Sequence, residues 1–221
     1  MIFKILKAIF LQFSFRSAIM IIKKLDLDVH DSKKVSELIY FTDAHTYDQI
    51  LKNKSQAVNK IEKLVKAGNN SIGYENIFVV TGHDDEHVLG MLITSSSEES
   101  SSKQEIKAFL KVFSPLDVIR FTILGLIDAR LLTDVGPQDF YLACVAVDEK
   151  ARGQGIGTFI LESAVEMSRD EGKEKAVLDV DFNNEGARRL YERFGFKISG
   201  QKTMRWFGGE KGMYNMEFLI K

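Results

Sequence analysis

The sequence predicts a single α/β (α+β) domain, and three observations carry that reading. From Phe140 to Phe194 strand-like and helix-like runs alternate: a strand at 140–147, a glycine-rich turn at 152–157, a helix ending near Asp170, a strand at Ala176–Asp181 and a helix at Glu185–Phe194. Upstream, Ile77–Thr81 and His87–Thr94 are β-rich runs either side of Gly82-His83-Asp84-Asp85, which reads as a hairpin. A length of 221 residues, 45% of them hydrophobic, suits one core, or one domain with an insertion.

Taken in order, Met20–Leu27 reads as a first strand, and Asp31 or Ser32 as the cap of a helix through Val35, Leu38 and Ile39. Asn53–Lys66 is a second helix with Val58, Ile61, Leu64 and Val65 on one side, stopped by Gly68-Asn69-Asn70. After the hairpin, Thr94–Glu105 has no apolar anchor and reads as a mobile serine-rich loop. Ala108, Phe109, Val112 and Phe113 suggest a short helix broken by Pro115; Val118–Leu132 suggests another. Residues 95–138 are thus a helical insertion, either a cover for a groove or a face for a homodimer. The strand at 140–147 has few polar groups and predicts burial on both faces. Ile156, Phe159, Ile160, Ala164 and Met167 make one face of the next helix; Ala187, Leu190, Tyr191 and Phe194 make one face of the last, and Gly195 stops it. Two short strands are expected to close the chain.

Residues 1–19 stand apart. Ile2, Ile5, Leu6, Ile9, Phe10 and Phe13 fall on one helical stripe, and the only charges are Lys4, Lys7 and Arg16. Those charges interrupt the run too often for a membrane span, which needs roughly 20 mostly apolar residues. Two readings stay open: an amphipathic helix lying on a membrane surface, or a flexible or non-native extension upstream of a true start at Met20. The second is preferred, because Met20 begins a clean strand and nothing later depends on what precedes it. Residues 20–221 then form the one domain.

Composition excludes several classes. With 30 basic and 31 acidic residues the net charge is -1, which argues against a dedicated nucleic-acid binder. One cysteine, Cys144, rules out an internal disulfide framework and fits a reducing cytoplasm. His83 and His87 are spaced i, i+4, but on a turn, so no metal site is expected.

The turn Arg152-Gly153-Gln154-Gly155-Ile156-Gly157 leads from a strand into a helix. A helix start leaves N–H groups unpaired and carries partial positive charge, so it suits an anion. Glycines let the backbone approach that anion, and Arg152 adds a forked cation. The P-loop pattern fails, because no Lys-Ser/Thr pair follows. The dinucleotide pattern G-x-G-x-x-G fails at Thr158 counted from Gly153 and at Ile160 counted from Gly155, although Asp179 or Asp181 stands where that fold would place its acid.

These residues resemble the GCN5-related N-acetyltransferase (GNAT) superfamily. Arg152, Gly155 and Gly157 match its [Q/R]-x-x-G-x-[G/A] motif. Asn184, Ala187, Leu190, Tyr191, Gly195 and Phe196 match N-x-x-A-x-x-L-Y-x-x-x-G-F. The resemblance is close over 140–200, and the insertion departs from it. It implies a mixed, mostly antiparallel sheet of about seven strands, splayed between the fourth and fifth, with helices on both faces. Acetyl-CoA would lie in the splay, its pantetheine arm along Val145, Ala146 and Val147 and its pyrophosphate on residues 152–157 and Thr158. Asn184, Ala187 and Tyr191 would line the thiol arm.

On that reading the chain is an N-acetyltransferase acting on a small or peptide primary amine by direct attack in a ternary complex. Tyr191 is the general acid for the leaving thiolate. Asp179 and Asp181, on one face of the fifth strand, are the candidate bases. Tyr40 and Asp43 are placed where the acceptor enters, and Cys144 is read as core. Two alternatives remain: a non-catalytic acetyl-CoA-binding regulatory module, and a dinucleotide-binding oxidoreductase.

Overall fold

The computed structural model describes residues 20–51, 53–95, 102–206 and 209–220. Both readings of residues 1–19, and residues 96–101 of the serine-rich stretch, lie outside them. One seven-stranded sheet runs through the molecule in the order β1-β2-β3-β4-β5-β7-β6, where β1 is Ile21–Lys24, β2 Ile77–Thr81, β3 Val88–Ser95, β4 Asp139–Val147, β5 Lys175–Asp181, β6 Lys197–Trp206 and β7 Gly209–Leu219. Every neighbouring pair is antiparallel except β4 and β5.

Helices cover both faces. On one lie α1 (Ser32–Thr42), α2 (Ala44–Ile50), α3 (Lys54–Ala67), α4 (Ser102–Val112) and α5 (Pro115–Asp128). On the other lie α6 (Ile156–Asp170) and α7 (Glu185–Phe194). Strand alternation sorts the cores accordingly. Ile77, Val79, Met91 and Ile93 pack with Val35, Ile61 and Leu64 beneath α1 to α5. Leu92, Leu142, Leu178, Val180 and Met216 pack with Ile156, Ile160 and Leu161 beneath α6 and α7.

Capping explains most helix starts. The Asp31 carboxylate accepts the Lys33 and Lys34 N–H groups, and the Asn53 amide oxygen accepts that of Gln56. Such caps contribute about 1 kcal/mol each. Gly68 (φ 62°) and Asn69 (φ 55°) then turn the chain out of α3.

Several expectations are corrected. The first strand stops at Lys24, because the Asp26 carbonyl accepts the His30 N–H and the His30 ring accepts the Asp26 N–H, closing a turn. The expected loop 94–105 is β-strand at Thr94–Ser95 and helix from Ser102; Glu105 at that helix start accepts the Ser71 N–H at 3.3 Å. Pro115 opens α5 instead of merely breaking α4. Its missing N–H costs nothing at a first helical position, and the Ser114 hydroxyl accepts the Asp117 N–H at 3.2 Å. The last two strands are long, ten and eleven residues, and pair along nearly their whole length. The Ala44–Ile50 helix had no sequence counterpart.

Candidate active site

β4 and β5 pair only at Asp139–Lys175, Phe140–Ala176 and Tyr141–Val177. Beyond Tyr141 they part, so the β4 edge from Leu142 to Val147 has no strand partner on that side. A bulge sharpens the divergence. Ile93 faces Cys144 while Thr94 faces Leu142, which leaves Ala143 as the extra residue. This is why β4 is not buried on both faces as expected: Ala143 is exposed and Cys144 to Val147 are half-buried beside the opening.

The end of β4 is anchored before the turn begins. The Asp148 N–H donates to the Leu89 carbonyl at 2.9 Å, and its carboxylate takes the Lys34 ammonium at 2.7 Å. That lysine holds the Asp148 carboxyl below the ordinary range. Arg152, Gly153, Gln154 and Gly155 then run exposed into α6. Gly153 (φ 75°) and Gly155 (φ 86°) are both left-handed, a conformation that costs an L-residue about 1–2 kcal/mol. A Cβ at either would point into open space.

Gly155 is the N-cap and has no side chain to cap with; the first bond inside α6 is Phe159 N–H to the Gly155 carbonyl, at 3.0 Å. The N–H groups of Ile156, Gly157 and Thr158 are therefore unspent by the helix. Gly157 serves packing: a Cβ there would come within 2.8 Å of Leu190 Cδ2, so the glycine lets α6 close on α7. Likewise Gly90 lets α6 settle on β3, where a Cβ would meet Ile156 at 3.1 Å and Ile160 at 3.2 Å. The three glycines of the turn thus divide into two that shape an open cradle and one that seats the helix.

The helix seated by that contact carries Tyr191. The Asn184 amide oxygen caps α7 by accepting the Ala187 N–H at 3.2 Å, and Gly195 (φ 119°) ends it. Tyr191 is buried, with its ring 6.0 Å from that of Phe196. Among the described residues no group hydrogen-bonds to its hydroxyl. Burial pushes its pKa up, and a charge on Cys144 would push it further, so the phenol stays protonated at neutral pH.

The vertex of the splay holds a network that the sequence reading did not anticipate. The Tyr141 hydroxyl donates to Asp179 at 3.0 Å. The same carboxylate accepts the Thr133 N–H on both oxygens, at 3.0 and 3.1 Å, and the Asn215 amide at 2.5 Å. Asn215 also donates to the Leu131 carbonyl at 3.0 Å, and Lys202 to that of Leu132 at 2.6 Å. The end of the insertion is thereby tied to β5, β6 and β7 where the strands separate. Burial and the Asp179 charge both push the Tyr141 phenol up. Asp181 sits further along, its carboxylate accepting the Asn183 N–H at 2.8 Å in the turn before α7.

Cys144 stands among these groups. Burial pushes its thiol up to about 11, against a lowering bond with Thr42. Its charge, if formed, would raise Tyr47, Tyr141 and Tyr191 alike. Cys144 packs with Tyr47 of α2 in the core beneath α1 to α5. Tyr47 on α2 was another residue missed.

Of the acceptor-side candidates, Tyr40 is buried in α1 and donates to Asp48 at 2.9 Å, a bond that raises its pKa. Asp43 caps α2 by accepting the Thr46 N–H. The residue is exposed overall, yet its carboxylate faces protein, and loss of water pushes its pKa up, with Lys211 opposing. Asp43 also raises Tyr47, which connects it to the Cys144 cluster.

A strand-to-helix glycine turn follows a strand edge left open by a splay, and the helix packed on that turn carries a buried tyrosine. Residues 70–196 match the acetyltransferase (GNAT) family, more than half of the chain. The chain belongs to that family. It is similar to N-alpha-acetyltransferase 30 of Schizosaccharomyces pombe, 36% identical over 56 residues, 25% of this chain and 37% of that one. It is also similar to N-acetyltransferase 8B of Mus musculus, 31% identical over 88 residues, 38% of each. The matched stretch spans well under half the length of these curated relatives. In three dimensions this GNAT chain resembles an N-acetyltransferase from Staphylococcus aureus Mu50, with TM-score 0.63 and 22% identity, over 90% of this chain and 100% of that one. A second acetyltransferase structure gives TM-score 0.58 at 22% identity, over 91% and 100%. At such identities the likeness establishes the fold.

Proposed function

We propose that the protein is an acetyl-CoA-dependent N-acetyltransferase that moves the acetyl group to a primary amine by direct attack. The observation that carries this is the conjunction of the unpaired β4 edge, the glycine turn at its end with no side-chain cap, and the buried Tyr191, whose hydroxyl has no hydrogen-bond partner among the described residues. The cradle N–H groups of Ile156, Gly157 and Thr158, with Arg152, suit the pyrophosphate of acetyl-CoA. Val145 to Val147 suit the amide-bearing pantetheine arm, which adds to an open edge as a strand would. The thioester then lies toward Ala143, Cys144 and Tyr191.

In the reaction the amine nitrogen attacks the thioester carbonyl carbon. The C–S bond breaks, the amine gives up a proton, and the departing thiolate receives one from Tyr191. Because burial keeps that phenol protonated, the acid is loaded at every pH where the amine is neutral enough to attack. Holding both reactants in one cleft supplies much of the remaining acceleration.

For the amine proton we retain Asp179 and Asp181. Asp179 would take it through Tyr141, whose hydroxyl donates to its carboxylate at the vertex of the splay and would pass its own proton on as it receives the amine's. Asp43, with Tyr40 and Tyr47 behind it, stands on the α1–α2 side, where the acceptor enters. No metal takes part in this scheme. The single cysteine favours a reducing compartment, the cytoplasm.

A panel of primary amines (amino acids, polyamines, peptide N-termini) assayed for release of the CoA thiol tests the proposal. Turnover with at least one amine is expected. Tight acetyl-CoA binding with no thiol release for any amine would reduce the protein to a non-catalytic acetyl-CoA module.

A further inference from the structure

The helical hairpin of α4 and α5 has one face in the core and one that stays exposed among the described residues. Phe109, Phe113 and Phe121 stack inward, with ring centroids 4.8–6.0 Å apart. On the outward side stand Ile106 and Leu110 of α4 and Leu116, Ile119, Ile123 and Leu126 of α5, each 49–65% exposed. Their spacings of three and four residues make a continuous ridge along each helix. Exposed aliphatic surface of that extent is costly unless it has an occupant.

The charges beside the ridges indicate which occupant. Lys103, Lys107 and Lys111 run along α4 next to Ile106 and Leu110, and Arg130 follows the end of α5; all four are exposed. The acids of the two helices are turned inward and engaged. Glu105 accepts the Ser71 N–H, Asp117 reaches Ser114 and Lys60, and Asp128 pairs with Lys211 at 2.9 Å. The outer face is therefore apolar and cationic, in a chain whose overall charge is only -1. A second copy would bring the same lysines against themselves.

We propose that the outer face of α4 and α5 docks on an anionic lipid surface, with the aliphatic ridges immersed at the headgroup boundary and the lysines reaching up to the phosphates. Among the described residues no helix is long and apolar enough to cross a membrane. The insertion then has a role of its own: it sets the acceptor side of the enzyme against a membrane surface.

Flotation of the full-length chain with vesicles tests this. Wild type is expected to float with phosphatidylcholine–phosphatidylglycerol vesicles, to stay behind with phosphatidylcholine alone, and to be released by high salt. Lys103→Gln, Lys107→Gln and Lys111→Gln together should weaken partitioning on the order of a hundredfold, at roughly fivefold per charge. Ile119→Ser, Ile123→Ser and Leu126→Ser should abolish it, and a melting temperature close to wild type for the lysine variant keeps the test independent of folding. Three results would overturn the proposal: no preference of wild type for anionic vesicles, wild-type flotation of the lysine variant (which would hand binding to another part of the chain), or a light-scattering mass of two chains that the serine variant halves, meaning that the face meets its own copy.

Discussion

The two faces of the sheet build the two halves of the candidate site by different means. On the α6–α7 face the work is local. A bulge at Ala143, two left-handed glycines and a helix start, all between residues 143 and 158, build the cradle. On the α1–α5 face it is long-range: Asp179 gathers Thr133, Tyr141 and Asn215 across separations of 46, 38 and 36 residues. A site half assembled within one stretch of chain tolerates variation elsewhere. A half assembled from four elements depends on all of them, and substitutions can separate the two.

The largest effect is expected at the junction of the halves. Tyr191→Phe should lower turnover about 10²–10⁴-fold while acetyl-CoA affinity stays within about twofold, because the ring packing is kept and only an acid is lost. Steady-state thiol release with calorimetric titration separates the two quantities, and unchanged turnover would remove Tyr191 from the chemistry. Next, Gly155→Val should weaken acetyl-CoA binding at least about tenfold and lower the melting temperature by about 2–6 °C. It forces a branched residue into a left-handed turn that costs about 1–2 kcal/mol, and it fills the open side of the cradle. The acceptor KM should respond much less than the acetyl-CoA KM; an equal response would mean that the halves are not separable.

Asp179→Ala reverses the pattern. It strands a backbone N–H, an amide and a phenol, each a loss of about 1–3 kcal/mol when buried, so stability and acceptor KM should both suffer while acetyl-CoA affinity persists. A differential scan and a calorimetric titration of the same variant decide it. Smaller still is the Lys34–Asp148 pair beneath the cradle. The depressed carboxylate makes its contribution above the unfolded value near 3.9 and loses it as pH falls through the lower folded value. Asp148→Asn should therefore cost about 0.5 kcal/mol at pH 7 and nothing in strong acid, as melting curves against pH will record. The smallest effect is at Asp43. Its raised carboxylate means that the fold favours the neutral form, and stability declines as pH rises through that value. Asp43→Asn keeps the cap on α2 and should raise the melting temperature by about 1 °C or leave it unchanged at neutral pH, while a shift in acceptor KM would mark the substrate side.

The same contrast explains what could be read from the sequence. The glycine turn and the α7 helix were legible because their requirements are short-range, glycine where φ is positive and Gly195 at a stop, whereas Asn184, expected beside the thiol arm, has its amide oxygen engaged as the cap of α7. The count of about seven strands and the splay followed from the family resemblance that those residues carry; the order β5-β7-β6 at the far edge did not. Tyr141 and Asp179 were not legible as a pair. Their contact exists only because β4 and β5 run parallel for three residues and then part, which no local pattern encodes. The one available signal was Tyr141 itself, a phenol between buried Phe140 and Leu142. Helix α2 escaped because Ala44-His45-Thr46 carries no apolar period; it is held by the Asp43 cap and by Tyr47 packing on Phe121 at 6.1 Å. The length of β6 and β7 was hidden by lysine, serine and glycine, residues that long antiparallel pairing tolerates.

The central claim is that the splay and its glycine turn form an acetyl-CoA site. Titration calorimetry of the full-length chain with acetyl-CoA and, separately, with NAD tests it most directly. The account predicts one saturable acetyl-CoA site per chain, weakened by Gly155→Val, and no heat with NAD. Saturable NAD binding with no response to acetyl-CoA would contradict it.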